Sequence, residues 1–201
     1  IVTMSQTLTR LGQIREIMAE QGLDAYVVAA FDEYLSEYVP ERNQRLHWLT
    51  GFTGSAGAAV VLSERAAMFV DGRYTVQVRQ QVDGDAFEYR HLIEEPYADW
   101  LVEQLASGNK VGIDSRMFSL NSFNRLQNTL NKAGIELLAQ AQHPVDALWN
   151  DRPAEVIHKG ILMPLEYTGV SSVEKRQQIA AQLEKEQLDA ALLFPHDPCA
   201  W

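Results

Sequence analysis

Residues 47–74 read HWLTGFTGSAGAAVVLSERAAMFVDGRY, a stretch in which a polar loop, three spaced glycines and two short apolar runs meet. Gly51, Gly54 and Gly57 interrupt a segment that its β-branched and aromatic residues would otherwise set as strand, so the backbone there can take positive φ or lie close against another segment. AAVVL at 58–62 and AAMFV at 66–70 have strand length and are joined by Ser63, Glu64 and Arg65, which predicts a hairpin in a covered sheet. Asp71 then stands where it can cap a helix beginning near Arg73, since a carboxylate accepts bonds from the free amides of a first turn and suits its positive dipole end.

The glycines do not form a phosphate cradle. A dinucleotide fingerprint needs G-x-G-x-x-G opening a helix, whereas this spacing is G-x-x-G-x-x-G followed by a strand. A nucleophile elbow fails as well, because Ser55 has Gly57 after it but Thr53 where the first glycine belongs. What remains is a structural role: a tight turn into the hairpin.

Outward from that core, the pattern alternates. Leu8, Leu11, Ile14, Ile17 and Met18 make a helical stripe over 6–21, closed by Gly22, and LDAYVVAA at 23–30 is a strand too continuous to have one wet face. Helix, glycine and strand recur at 100–106, Gly108 and VGID, and again at 120–133, Gly134 and IELLA. The prediction is an α/β fold with a mixed sheet covered by helices. After Gln142 three prolines and the absence of a period mark 143–170 as a linker, with Trp149 anchored by burial against a neighbouring unit. Residues 175–197 then repeat 10–32 at a constant offset of 165, LDAALLF standing where LDAYVVA stood. The expected organisation is a first domain over 4–142, the linker, and the incomplete opening of a second similar domain over 171–201. One helix and one strand cannot close a core, so this tail is expected to expose apolar surface unless it swaps, folds back or is poorly ordered.

At 201 residues, with 17 Lys and Arg against 27 Asp and Glu, the chain carries a net charge of −10, which argues against an unassisted partner of nucleic acid or anionic membrane. No run approaches the ~20 apolar residues of a membrane span and no basic-then-apolar segment opens the chain, so a soluble, cytoplasmic protein is expected. Cys199 is the only cysteine, which excludes an intrachain disulfide and suits a reducing compartment. Ile1, Val2 and Thr3 precede Met4, a natural start, and are expected to be an addition ahead of it.

Chemistry is sparse. The five histidines are scattered with no H-x-x-x-H pair, and Asp71, Asp83 and Asp85 read as a cap and turn formers, so neither catalytic nor metal-binding residues are assigned. The segment FDEYLSEYVPERNQRLHW at 31–48 is longer than the roughly dozen residues of an ordinary loop and places Arg42, Arg45 and His47 beside Tyr34, Tyr38 and Trp48. Such a loop suits ligand contact or a solvated surface whose charges pair. Arg73 and Tyr74 are the better contact candidates, a planar cation beside a phenol at a helix start that can meet a peptide carboxylate or simply brace the sheet.

Four ordered segments, SEYVPERNQRLHWLTGFTGSAG (36–57), AAMFVDGRYTVQ (66–77), VDALWNDRP (145–153) and EYTGVSSVEKRQQI (166–179), resemble the amino-terminal part of Xaa-Pro aminopeptidases. The resemblance implies a creatinase-type amino-terminal domain of ribonuclease H-like topology followed by the start of a middle domain. It also implies that catalysis belongs to a carboxy-terminal domain outside this chain, where two divalent ions, manganese or zinc, on carboxylates and a histidine activate water to cleave the bond before proline. For this chain it implies no catalytic residue and no metal ligand, a part in shaping the substrate entrance, homodimer contacts, and the rest of its own polypeptide as partner. Arg73 and Tyr74, with Tyr38, Arg45 and Trp48, are the positions it offers for contact with a peptide that has proline second. The family often carries a second arginine where this chain has Leu46. The alternative is a free-standing module that holds a small acid or a protein through the 32–48 loop, without hydrolase activity.

Overall fold

The computed structural model describes residues 4–194 and 196–200. They fall into two compact units divided between Glu155 and Val156. Ile1 to Thr3, expected to be an addition, lie outside the described residues, as do Pro195 and Trp201 of the tail.

The first unit runs α1 (Met4–Glu20), β1 (Ala25–Ala29), α2 (Arg45–Thr50), β2 (Gly57–Leu62), β3 (Ala66–Val70), α3 (Thr75–Gln81), β4 (Glu88–His91), α4 (Tyr97–Gln104), β5 (Lys110–Ile113), α5 (Leu120–Lys132), β6 (Glu136–Ala139) and α6 (Pro144–Leu148). Its six-stranded sheet has the order β4-β3-β2-β1-β5-β6. β2 pairs antiparallel with β1 and β3, while β1–β5, β3–β4 and β5–β6 pair parallel. β2 is therefore the one strand running against the other five. An antiparallel meander continued by parallel strands is the mixed α/β sheet expected.

Helices cover both faces, as the unbroken apolar run of β1 requires. Side chains alternate across the strand. Tyr26 and Val28 therefore join Leu11, Ile14 and Met18 of α1 in one core, while Ala25 and Val27 join Phe69, Trp100, Leu126 and Leu130 in the other. The hairpin closes where Leu62 N–H meets Arg65 C=O at 2.8 Å, leaving Ser63 and Glu64 at its tip. Two of the marked glycines are needed as predicted. Gly51 has φ 80° and ends α2, and a Cβ on Gly57 would lie 2.9 Å from the Phe69 carbonyl in the neighbouring strand.

The structure adds three features that local pattern hides. β4, EYRH, is an edge strand with no apolar run, held by its pairing with β3. The long 31–48 segment ends in a 3-10 turn at Glu41–Asn43 and α2. The linker expected from 143 begins later, because Pro144 occupies the first turn of α6, where its missing N–H is harmless, and Val145 is fully buried in the first core. Trp149 is anchored as predicted, stacked on Trp48.

The second unit holds α7 (Leu165–Thr168), α8 (Ser172–Lys185) and α9 (His196–Ala200). α8 starts at a capping box in which Ser171 and Glu174 each bond the other's backbone N–H. The repeat is matched by this helix but not by a strand: no strand is assigned over 188–194, where Leu192 and Phe194 are each 77 % exposed. β1 has ladder partners on both sides, whereas among the described residues LDAALLF has no strand beside it; Leu188 N–H instead bonds the Leu183 carbonyl and the Leu193 carbonyl accepts from Cys199 Sγ.

Candidate functional site

Five parallel strands bring their carboxyl ends to one rim of the sheet. A cleft of about 450 Å³ opens there, between the 37–40 loop that follows β1, α2, the 52–55 turn before β2, and Tyr74 after β3. Each wall has a local cause. Asp71 ends β3 and accepts the Arg73 N–H at 3.0 Å, which starts a 3-10 turn over Gly72–Tyr74 and turns Tyr74 into the cleft. The Tyr74 hydroxyl lies 2.9 Å from that of Ser55 and accepts the Ser55 N–H at 3.3 Å, and its ring meets Phe52 edge-on at 5.5 Å. Those bonds from Ser55, side chain first, hold the phenol below its ordinary pKa.

Of the positions offered from sequence, the structure brings Tyr38 and Tyr74 together in this cleft. Tyr38 is 88 % exposed at its mouth. Arg73 stands beside them with its guanidinium 5.1 Å from the centre of the Tyr74 ring and forked onto Asp71, Nη2 to Oδ2 at 2.8 Å. The bond from Arg73 depresses the Asp71 carboxyl and, reciprocally, raises Arg73. Nη1 of this exposed arginine takes no part in the fork.

Arg45 and Trp48, also offered as contacts, are placed elsewhere. Arg45 is 2 % exposed, giving Asp146 bonds of 2.7 and 2.9 Å and Glu33 bonds of 2.8 and 3.4 Å. Burial works against its charge, yet its bonds to the two carboxylates outweigh burial and raise its pKa, while Glu33 and Asp146 are lowered by the same bonds. Trp48 is 7 % exposed, sandwiched into contacts with Trp149 at 6.0 Å and with the Arg10 guanidinium at 4.3 Å. Both side chains act inside the fold, which removes the motive for a free-standing module built on them.

Sequence reasoning set two cleft residues aside. His47 lines the cleft, its Nδ1 buried without a hydrogen-bond partner among the described residues, and Ser55 fixes Tyr74. The signal for both was their position in the glycine-rich turn and the loop before it. Among the described residues no three His, Cys, Asp or Glu side chains gather where they could hold a metal ion.

A six-stranded mixed sheet covered by helices, with its cleft at the carboxyl rim, is an α/β domain. The sequence profile of the Creatinase/Prolidase N-terminal domain matches residues 10–148, and the chain belongs to that family. It is 34 % identical over 198 residues to a protein named probable Xaa-Pro aminopeptidase P from Ajellomyces capsulatus, aligning 97 % of this chain with 31 % of that protein. The likeness to the namesake from Paracoccidioides brasiliensis is also 34 %, over 97 % of this chain and 32 % of that protein. The chain therefore spans about a third of the length of the curated relatives it matches. Among solved structures it resembles the X-prolyl aminopeptidase of Caenorhabditis elegans, with TM-score 0.79 and 25 % identity over 91 % of this chain and 32 % of that one. It also resembles the N-terminal domain of the peptidase PepQ from Mycobacterium tuberculosis, with TM-score 0.55 and 26 % identity over 70 % of this chain and 98 % of that one. No helix among the described residues is long and apolar enough to cross a membrane.

Proposed function

We propose that this chain is the amino-terminal, non-catalytic part of a metal-dependent Xaa-Pro aminopeptidase, and that its cleft admits and orients the peptide. The observation that supports this is the alignment of nearly the whole chain with about a third of proteins named for that activity. Arg73 is the peptide anchor: its unforked Nη1 donates to a carboxylate or carbonyl, while Asp71 fixes the plane of the guanidinium. Tyr38 and Tyr74 supply flat walls that favour an extended, proline-containing segment. In this reading the manganese or zinc pair that activates water belongs to the remainder of the polypeptide. A homodimer, which the family resemblance implies, and a cytoplasmic location complete the proposal; the location is in keeping with a C. elegans relative described as a cytosolic enzyme with a di-nuclear active site.

The test compares the 201-residue chain with the complete polypeptide on an X-Pro-X peptide, each with added manganese or zinc. The complete polypeptide is expected to release the first residue and the chain alone to release none. Arg73→Gln in the complete polypeptide is expected to raise KM. Turnover by the chain alone, or none by the complete polypeptide, overturns the proposal.

A further inference from the structure

Six side chains close a ring behind the cleft. Asp32 Oδ2 accepts from Asn43 Nδ2 at 3.3 Å, and Asn43 Oδ1 accepts from Arg152 Nη2 at 3.0 Å. Arg152 Nη1 lies 3.1 Å from Asp146 Oδ1, Asp146 accepts from Arg45, and Arg45 donates to Glu33, the covalent neighbour of Asp32. The ring thus joins the 32–44 loop and the adjoining start of α2 to α6 and the segment after it, 101 residues apart at the Arg45–Asp146 bond and 109 at the Asn43–Arg152 bond. Loop and α2 carry one side of the cleft, Tyr38 and His47 included.

The ring also dictates the shape of that loop. Asp32, fully buried, accepts the Tyr34 and Ser36 N–H groups at 3.1 and 3.2 Å with its other oxygen. Leu35 is thereby held at φ 52°, a left-handed conformation that a leucine does not adopt unless its surroundings impose it. A second tie reinforces the first: Arg152 Nε donates to the Arg42 carbonyl at 2.6 Å. Cores built of apolar contacts tolerate small slips, whereas hydrogen-bonded ion pairs fix direction as well as distance. None of the members Asn43, Asp146 and Arg152 lines the cleft.

We propose that Asn43, Asp146 and Arg152 are positioning residues that set the cleft wall carrying Tyr38 against the wall carrying Tyr74. For the identity of the ligand this rests on the peptide-binding role proposed above; for the shape of the cleft it does not. The ring acts on peptide affinity and leaves the chemistry of bond cleavage alone.

The experiment uses Asn43→Leu and Arg152→Met, which open the ring on either side of their shared bond while Arg45 keeps both its carboxylates. Leu130→Ala, in the core on the opposite face of the sheet, is the control for lost stability without lost positioning. The first readout is the 19F resonance of Tyr38 in the 201-residue chain labelled with 3-fluorotyrosine, identified through Tyr38→Phe. The second is the split between KM and kcat in the complete polypeptide. Both ring variants are expected to shift the Tyr38 resonance and to raise KM about fivefold at unchanged kcat, the size of one net neutral hydrogen bond. Leu130→Ala is expected to lower Tm and move neither. An unmoved Tyr38 resonance in both ring variants overturns the inference, as does an equal response to Leu130→Ala. Should the complete polypeptide cleave no X-Pro peptide, the proposed function falls, while the fluorine readout still decides the ring.

Discussion

Trp48 stacks on Trp149 with ring centroids 6.0 Å apart and planes 29° from parallel. The pair joins α2, which walls the cleft, to the residue that ends α6. Trp149 is only partly buried, so Trp149→Ala is expected to cost about 2 kcal/mol, below the range for a fully buried indole. Urea unfolding followed by tyrosine fluorescence measures it, and a change below about 0.5 kcal/mol, the scatter of ordinary surface substitutions, contradicts the anchoring role.

Arg45→Ala is expected to destabilise by about 3–5 kcal/mol, because it strips a buried cation from Asp146 and Glu33. Asp146 retains Arg152 at 3.1 Å, which favours the lower end. The outcome separates two roles: a peptide-contacting arginine would change KM with little change in the urea midpoint, whereas this one moves the midpoint.

Acid should weaken the fold through His143. The imidazole is 1 % exposed, its Nδ1 accepts the Val145 N–H at 3.1 Å, and burial together with the Arg45 charge depresses its pKa to about 4. Between pH 6.5 and 4 the unfolded chain binds a proton that the native chain refuses, so stability falls with pH across that window, by up to about 3 kcal/mol, and the loss saturates below it. His143→Asn keeps a capping oxygen without titrating, so its stability should decline less from pH 6.5 to 4. Parallel pH profiles for the two proteins would count against the assignment.

Gly57→Ala places a methyl 2.9 Å from the Phe69 carbonyl oxygen, a backbone atom of the paired strand that cannot swing away. A loss of about 1–3 kcal/mol is expected, typical of overpacking. A thermal midpoint unchanged from the parent would show that the two strands are free to separate there.

Most of the first unit's fold could be read from local pattern: α1, β1, the β2–β3 hairpin, and the α4–β5 and α5–β6 pairs each carry their own period and a glycine or polar joint. β4 could not, because EYRH has no apolar face and owes its strand to the β3 edge. The site was half legible. Tyr38, Arg73 and Tyr74 belong to exposed turns, where residue type alone suggests contact. Arg45 misleads because a charged residue in a polar loop ordinarily faces water, and only Asp146, far along the chain, explains why it does not. His47 was passed over for want of a second histidine, although its place in the cleft depends on α2 and not on a ligand pair.

β2 runs against its five companions, so its entry turn opens at the same edge from which the others depart. The turns that line the cleft are thereby gathered at one rim of the sheet. Residue changes in the turns around Ser55, Tyr38 and Tyr74 can therefore reshape that opening while the ladder beneath is left unaltered.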